Sequence, residues 1–292
     1  MKLRMILTTA VMTLTALTAQ ASMDKVVYGD DNRLDIFEVS NPMHLKLAKA
    51  TAGLVKSYDV EDMRDGQSKL DGGNLNVCSD EKFDGQLTAA FCSGFLVDHE
   101  GEQFFVTAGH CIDSQRSCEG IKFVFDYNVK EAGQTQHKVP TSSVYGCKKL
   151  VDRVLSRSDS NDYAVVKLDR KVEDREALTF RTEGKISNGE EILVIGHPSG
   201  LPTKVAGDAF VRNNNSSIFF SSNLDTFGGN SGSAVFNART GDVEGILVRG
   251  HNDYTYRTGP DGNRCKAPEY CSMDSCRGED VTRTTSIKFF KN

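Results

Sequence analysis

The chain has 292 residues, 38% of them hydrophobic, which is enough apolar material for one large domain or two packed halves. Its formal net charge of −5 argues against nucleic acid as the main partner. Beyond the first two dozen residues no apolar run approaches the ~18 residues of a membrane-spanning helix. An internal membrane span is therefore not expected.

The N-terminus has the features of a secretory signal peptide. Lys2 and Arg4 precede an apolar or small stretch over residues 5–19, and Ala19-Gln20-Ala21 forms a small-x-small cleavage site. A membrane anchor is the alternative, but the stretch is short and lacks a strongly hydrophobic centre. We expect residues 1–21 to be removed and the protein to be secreted, into a periplasm or out of the cell, without stable membrane association.

The rest of the chain is dominated by short runs of β-branched, aromatic and aliphatic residues with turn residues between them. This spacing predicts an all-β sandwich or barrel, preceded by a short helix within residues 43–55 that leads into a strand. A charged stretch, residues 169–176, divides two groups of strands and predicts a boundary near residues 170–185. The predicted strands cover residues 91–97, 103–107, 121–126, 163–168, 191–195, 217–221, 233–236 and 244–248.

Eight cysteines follow the signal peptide, and an even number in that context indicates disulfides formed in an oxidising compartment. They are scattered and include no CxxC pair, so we expect no metal site, and the sequence implies no cofactor. The cysteines are Cys78, Cys92, Cys111, Cys118, Cys147, Cys265, Cys271 and Cys276.

The first chemical motif is a histidine at the end of a strand, in Phe105-Val106-Thr107-Ala108-Gly109-His110-Cys111. A histidine in that position can be held rigidly while it faces a cleft, as a general base requires. A structural or exposed histidine is the alternative. The small residues before His110 and the cysteine after it favour the functional interpretation.

The second motif is an aspartate directly before an apolar strand, in Asn161-Asp162-Tyr163-Ala164-Val165. A partly buried carboxylate there can accept the ring N–H of a histidine, which fixes the tautomer and stabilises the imidazolium. In isolation Asp162 is equally compatible with a turn or capping residue.

The third motif, Gly228-Gly229-Asn230-Ser231-Gly232-Ser233, places a serine between glycines before a strand. Glycines allow unusual dihedral angles and close backbone approach, and consecutive N–H groups in such a loop can converge on an oxyanion. A glycine-rich hairpin turn is the alternative. The three motifs follow one another in the order His, Asp, Ser, which is the chymotrypsin order.

These motifs together resemble the trypsin-like peptidases, with a serine motif of the bacterial glutamyl-endopeptidase-like branch. The resemblance spans about residues 45–255 and implies two six-stranded antiparallel β-barrels with the active site between them. It implies Ser231 as nucleophile, His110 as general base and Asp162 as its orienting partner, with the N–H groups of Gly229 and Ser231 as oxyanion hole. It implies protein or peptide substrates, and we expect a monomer.

The resemblance also implies a disulfide between Cys92 and Cys111, and leaves the pairing of the other six cysteines open. Residues 26–33 resemble the mature start of glutamyl-endopeptidase-like enzymes. We therefore expect a zymogen whose short propeptide, residues 22–25, is cut after Lys25, leaving a peptidase domain over residues 26–292. In digestive trypsins an aspartate precedes the nucleophile and pairs with the new N-terminal amine, whereas here that residue is the uncharged Asn230.

Substrate preference is predicted from the residues that the resemblance assigns to the specificity pocket. Asp225 lies six residues before Ser231, where trypsins carry the aspartate that binds Arg or Lys, and an anionic floor selects cations. Leu247 replaces the histidine usual in glutamyl enzymes, so we favour cleavage after Arg or Lys over cleavage after Glu. Arg249 replaces a common aromatic residue and is expected either to neutralise Asp225 or to face solvent. The predicted pocket residues are Asp225, Thr226, Val248, Arg249 and Gly250.

Two alternatives from other classes remain at this point. An inactive, protease-like binding module usually lacks a triad residue, and none is missing here. A secreted esterase of the α/β-hydrolase type would carry G-x-S-x-G, whereas residues 229–233 read Gly-Asn-Ser-Gly-Ser. The cysteine-containing segment 252–277 is predicted as a disulfide-linked surface loop near the pocket.

Overall fold

Most of the regular secondary structure in the described part of the chain is β-strand. The computed structural model describes residues 26–135 and 137–291, so the expected signal peptide (1–21) and propeptide (22–25) lie outside the described residues. Two α-helices occur there, α1 (Pro42–Lys49) and α2 (Gln115–Glu119). No helix in this part of the chain has the length and apolar character needed to cross a membrane.

The first barrel is formed by strands that end at residue 168. The strands of this half are β1 Val27–Tyr28, β2 Leu34–Asp35, β3 Thr51–Lys56, β4 Val60–Asp62, β5 Gln67–Leu70, β6 Gly73–Asn74, β7 Leu87–Thr88, β8 Cys92–His99, β9 Glu102–Thr107, β10 Ile121–Val124, β11 Lys138–Pro140, β12 Val144–Leu155 and β13 Asp162–Leu168. Six of them close into an antiparallel barrel in the order β3-β8-β9-β13-β12-β10, with β10 pairing back onto β3.

The second barrel begins at residue 191, after a connection over residues 169–190. Its half of the chain contains β14 Glu191–Gly196, β15 Lys204–Asn213, β16 Phe219–Ser222, β17 Ala234–Asn237, β18 Val243–Arg249, β19 Tyr254–Thr258, β20 Arg264–Pro268, β21 Tyr270–Cys271 and β22 Glu279–Arg283. The order β14-β17-β18-β22-β16-β15 closes through antiparallel pairing of β15 with β14, and β2 adds to β15. The predicted fold of two six-stranded antiparallel barrels is thus confirmed.

The two barrels share their largest apolar core. Phe105 and Phe123 pack edge to face in the first barrel, and Ile195 and Phe236 from the second belong to the same buried cluster. Burial of large side chains such as these stabilises the fold by about 1.5–3 kcal/mol each. Because this core is continuous across the barrel contact, loops of both halves are fixed relative to one another at the cleft.

The described residues form four disulfides and include no free cysteine. Cys92 is bonded to Cys111, the pair that the family resemblance implies, and Cys118 is bonded to Cys147. Cys78 with Cys265 holds the hairpin of β19 and β20, and Cys271 with Cys276 closes a loop next to the short parallel pair of β1 and β21. The segment around residues 252–277 is therefore attached covalently to the first half of the chain at Cys265 and closed on itself by the second disulfide.

Candidate active site

The histidine motif lies where β9 leaves the first barrel. His110 Nδ1 and Asp162 Oδ2 are 2.7 Å apart, and the His110 backbone N–H donates to Asp162 Oδ1 at 3.1 Å. Asp162 is the first residue of β13, which pairs with β9 through Ala164 and Thr107. The same pair of strands thus delivers both side chains, and the carboxylate holds the histidine by ring and by backbone.

Close backbone packing behind His110 depends on Gly109. A Cβ at this position would overlap the carbonyl oxygen of Val154, so only glycine allows the chain to pass there. Arg153 Nε donates to the Gly109 carbonyl at 2.8 Å, and Cys111 is disulfide-bonded to Cys92 on β8. The histidine is therefore fixed on both sides by contacts within the first barrel.

The orientation of the His110 ring leaves one nitrogen available for chemistry. Asp162 is buried and accepts from Nδ1, so the neutral ring carries its proton there and presents the Nε2 lone pair. Among the described residues, Nε2 is buried and has no hydrogen-bond partner. This is the arrangement that a general base needs before substrate binds.

Ser231 lies in the loop between β16 and β17 and faces the same cleft as His110. Both residues line one cavity of about 420 Å³, together with Gly228, Gly229 and Phe91. No hydrogen bond joins Ser231 Oγ to His110 Nε2 within the described residues, and such bonds are often long before substrate binds. The structure thus brings the three predicted triad residues to one site.

The loop that carries Ser231, residues 223–233, is called the serine loop here. Two of its backbone N–H groups are oriented by the carbonyls that precede them. The Gly228 carbonyl accepts from Ser199 N–H at 2.5 Å, and the Asn230 carbonyl accepts from Ser233 N–H at 2.8 Å. The C=O and N–H of a trans peptide point in opposite directions, so the N–H groups of Gly229 and Ser231 point away from those donors. Neither donates a hydrogen bond within the described residues.

Ser93 connects the serine loop to the histidine motif. Its Oγ donates to the Gly229 carbonyl at 2.8 Å, and its N–H donates to the Ser231 carbonyl at 2.8 Å. Its own carbonyl accepts from Thr107 Oγ1 at 2.6 Å, three residues before His110. One buried residue of β8 therefore sets the spacing between the two motifs.

The predicted pocket residues make contacts that the sequence did not indicate. Asp225 is buried, and its carboxylate oxygens accept from the backbone N–H groups of Tyr28 at 2.7 Å and Asn32 at 3.1 Å. Removal from water raises its pKa from 3.8 to about 7, against the lowering effect of those two hydrogen bonds. This carboxylate is committed to the N-terminal segment of the chain.

Arg249 neither neutralises Asp225 nor faces solvent freely, so that expectation was wrong. Its guanidinium pairs with Asp280 at 2.9 Å and donates to the Ser160 carbonyl at 2.9 Å. The register of β18 and β22 explains this, because it places Arg249 directly opposite Asp280. Arg249 therefore joins the second barrel to the turn that precedes Asp162.

The remaining pocket residues surround a carboxylate that the sequence did not single out. Thr226 Oγ1 donates to Glu279 Oε2 at 2.5 Å, and the N–H of His251 donates to Oε1 at 3.2 Å. A Cβ on Gly250 would overlap the same carboxylate, and Val248 is buried on the strand that leads to it. Glu279 is fully buried at the start of β22, and its carboxylate lies at this predicted pocket wall.

Among residues 26–135 and 137–291, two groups have the proximity of metal ligands, but both consist mainly of disulfide sulfurs. They are Cys92, His110 and Cys111, and His251, Cys271 and Cys276. A sulfur in a disulfide is not the thiolate that binds metals.

Sequence reasoning missed Ser93, Ser199, Asp253 and Glu279. Asp253 Oδ2 accepts from the Gly228 N–H at 2.8 Å, and Ser199 Oγ lies 2.5 Å from Tyr254 Oη. No local pattern marks any of these residues, since each acts on a loop far away in the sequence. His197-Pro198-Ser199-Gly200 was recognisable only as a turn.

Comparisons with known proteins agree with this geometry. A family model described as a trypsin-like peptidase domain matches residues 92–246, more than half of the chain and including all three motifs. Among curated proteins, none matches this chain.

The solved structures that resemble this chain include two proteases that are distant in sequence. The VesB protease of Vibrio cholerae is 13% identical, with a TM-score of 0.50, over 89% of this chain and 65% of its own. The active form of the Rv3671c protease of M. tuberculosis is 12% identical over 98% of this chain and 92% of its own, with a TM-score of 0.46. At such identities the likeness concerns the fold alone.

Proposed function

The chain belongs to the trypsin-like peptidase family, and from that premise we propose that it is an active, secreted serine endopeptidase that works through an acyl-enzyme. One observation carries the proposal: His110, which lies 2.7 Å from the buried Asp162 carboxylate, lines the same cavity as Ser231. In this proposal His110, Asp162 and Ser231 are the catalytic residues.

Acylation begins when Ser231 Oγ attacks the carbonyl carbon of the scissile peptide bond. His110 Nε2 takes the hydroxyl proton, and the ring becomes an imidazolium that the Asp162 carboxylate stabilises without itself being protonated. The carbonyl oxygen becomes an oxyanion that the N–H groups of Gly229 and Ser231 bind. The C–N bond then breaks as the imidazolium protonates the leaving amine.

Deacylation repeats these steps with water in place of Ser231. His110 Nε2 takes a proton from the water, whose oxygen attacks the acyl carbon, and the second oxyanion occupies the same two N–H groups. When it collapses, His110 returns the proton to Ser231 Oγ and the carboxylic acid product leaves. Because the two N–H groups are fixed in advance by Ser199 and Ser233, little reorganisation is needed as charge develops.

Covalent labelling tests this mechanism directly. A fluorophosphonate probe should label the mature protein, and Ser231→Ala should abolish both labelling and peptide hydrolysis. Ser158→Ala, which removes an exposed serine outside the cleft, is the matched control and should leave both unchanged. Absence of labelling in the wild type would favour the inactive binding module, and proteolysis retained in Ser231→Ala would move the nucleophile elsewhere.

For substrate preference, we propose cleavage after Arg or Lys with Glu279 as the residue that selects the cation. The carboxylate at the predicted pocket wall is that of Glu279, which contacts Thr226 and Gly250, whereas the Asp225 carboxylate is bound to backbone. A panel of chromogenic peptides should show hydrolysis after Arg or Lys, and Glu279→Gln should lower it relative to hydrolysis after Leu. Hydrolysis after Glu but not after Arg or Lys would make the enzyme a glutamyl endopeptidase.

Four disulfides support secretion into an oxidising compartment. We propose that residues 1–21 are removed as a signal peptide and that the chain is then cut after Lys25. N-terminal sequencing of the secreted protein should give Val26. A stable, active protein that begins at Ser22 would exclude the second cut.

A further inference from the structure

The N-terminal strap, residues 26–33, contacts three consecutive residues of the serine loop. Asp225 accepts hydrogen bonds from the backbone N–H groups of Tyr28 and Asn32. The next residue, Thr226, donates its N–H to the carbonyl of Val26 at 3.1 Å. These contacts join positions nearly 200 residues apart in the sequence.

The third contact involves a buried cation. The guanidinium carbon of Arg33 lies 4.0 Å from the ring centre of Phe227, the residue before Gly228. Arg33 is 2% exposed, and its charge is balanced by Asp31, to which Nε donates at 2.8 Å and Nη2 at 2.5 Å. A desolvated cation over an aromatic face contributes about 2 kcal/mol, so this contact fixes the Phe227 ring.

The strap itself is anchored in the second half of the chain. Val26 and Val27 are fully buried, and Val27 and Tyr28 form the parallel pair with residues 270–271. Tyr28 Oη accepts from the Gly278 N–H at 2.9 Å, and Asn32 Nδ2 donates to the Gly207 carbonyl at 2.8 Å. Its contacts with residues 225–227 are therefore made from a fixed position.

The residue before the nucleophile is satisfied without any N-terminal charge. Asn230 is 2% exposed, and its side-chain carbonyl accepts from Ser233 Oγ at 3.1 Å. A neutral amide with a partner inside the loop has no need of an ammonium group. The contacts that order this loop thus come from the interior of the strap, from the loop itself and from Ser93, Ser199 and Asp253, and none of them uses an N-terminal charge.

We propose that the N-terminal strap holds the serine loop in its active arrangement through Asp225, which is a positioning residue and not a substrate-binding one. The loop is then assembled before any cut after Lys25, and that cut does not switch activity on. This inference rests on the proposed function, because it concerns the orientation of the Gly229 and Ser231 N–H groups. In this proposal the chain is not a zymogen, because the strap already supports the serine loop in the uncut chain.

The first experiment separates positioning from substrate binding. Asp225→Asn should lower kcat by about 10–100-fold for peptides with Arg, Lys and Leu before the scissile bond, with KM within twofold and the Arg-to-Leu ratio unchanged. Glu279→Gln is the matched control, since it should change that ratio. A loss confined to Arg and Lys peptides in Asp225→Asn would overturn the proposal and make Asp225 the pocket floor.

A second measurement covers the case in which Asp225→Asn does not fold. In a Ser231→Ala background, Arg33→Gln should speed amide exchange at residues 225–230 by about tenfold or more while barrel strands stay protected. Unchanged exchange at residues 225–230 would overturn the proposal. This readout needs no catalysis, so it still tests the strap if the wild type proves not to be labelled by fluorophosphonate.

The third experiment addresses the cut after Lys25. Lys25→Gln should give protein whose intact mass shows residues before Val26 and whose fluorophosphonate labelling rate is within twofold of the wild type. An uncut protein that is labelled only after proteolytic removal of those residues would contradict the proposal. A wild type without labelling would instead refute the proposed function itself, which keeps the two failures distinct.

Discussion

The two sides of the cleft are the pair His110 and Asp162, called the histidine corner here, and the serine loop. They are supported in different ways. His110 follows the end of β9 and Asp162 begins β13, two paired strands of the first barrel, and the disulfide beside the histidine joins residues only 19 positions apart. The serine loop is held by Ser93, by Ser199 and by the N-terminal strap, with sequence separations of up to 197 residues. One half of the site is local, and the other is assembled from the whole chain.

This difference has a thermodynamic consequence. Closing long loops costs chain entropy that must be offset by many contacts, so the serine loop depends on the second barrel, the strap and the β19–β20 hairpin all being in place. The histidine corner depends mainly on the first barrel, although Arg249 of the second barrel donates to the turn before Asp162. Remote substitutions should therefore affect the oxyanion hole more readily than they affect the Asp162–His110 pair.

The largest expected effect belongs to the local half. Asp162→Asn replaces the acceptor of the His110 ring and favours the wrong tautomer, so kcat should fall by about 10⁴-fold. The thermal midpoint should change little, because the amide fits the same space. A fall of less than tenfold in steady-state hydrolysis would show that Asp162 is not the partner that orients His110.

Gly232 tests how closely the serine loop must approach the first barrel. Its φ of +93° is in the left-handed region, and a Cβ would overlap the Ser93 carbonyl and Thr107 Oγ1. Gly232→Ala should therefore lower the free energy of unfolding by about 4 kcal/mol, from strain plus overlap. Gly133→Ala, also at positive φ but with open space around the Cβ, should cost only about 1 kcal/mol in urea titrations. Equal losses would mean that backbone strain alone matters.

The same contrast decides what the sequence could predict. The barrels follow from strand-length apolar runs between turn residues, and the His110 and Ser231 motifs are visible because each is contiguous. The support of the serine loop is not visible, because Ser93, Ser199 and Asp225 act on partners through the fold. The position of Asp225 six residues before Ser231 indicated a pocket role, whereas in the structure its carboxylate accepts two hydrogen bonds from the strap. Glu279 was missed because nothing in its neighbourhood distinguishes it from a surface acid.

The buried carboxylate of Asp225 gives a pH-dependent expectation. Its pKa is raised from 3.8 to about 7 by burial, with Asp31 adding to the rise and Arg33 opposing it. Its contribution to stability is therefore fully present below about pH 4 and is lost as pH rises through about 7, by on the order of 3 kcal/mol. In a Ser231→Ala background, the advantage of Asp225 over Asp225→Asn in urea unfolding should shrink from pH 4 to pH 7. An advantage that grows over this range would mean a lowered pKa.

The smallest expected effect concerns the outermost support of the serine loop. Tyr254 Oη lies 2.5 Å from Ser199 Oγ, and Ser199 N–H fixes the Gly228 carbonyl and with it the Gly229 N–H. Tyr254→Phe removes about 1 kcal/mol of hydrogen bonding, so kcat should fall roughly fivefold with KM unchanged. Tyr256→Phe on the same hairpin is the control, since Tyr256 is 60% exposed and its substitution should leave kcat unchanged. If KM fell together with kcat, or if the two variants behaved alike, the hairpin would not act on the oxyanion hole. Its role would then be only to stabilise the loop.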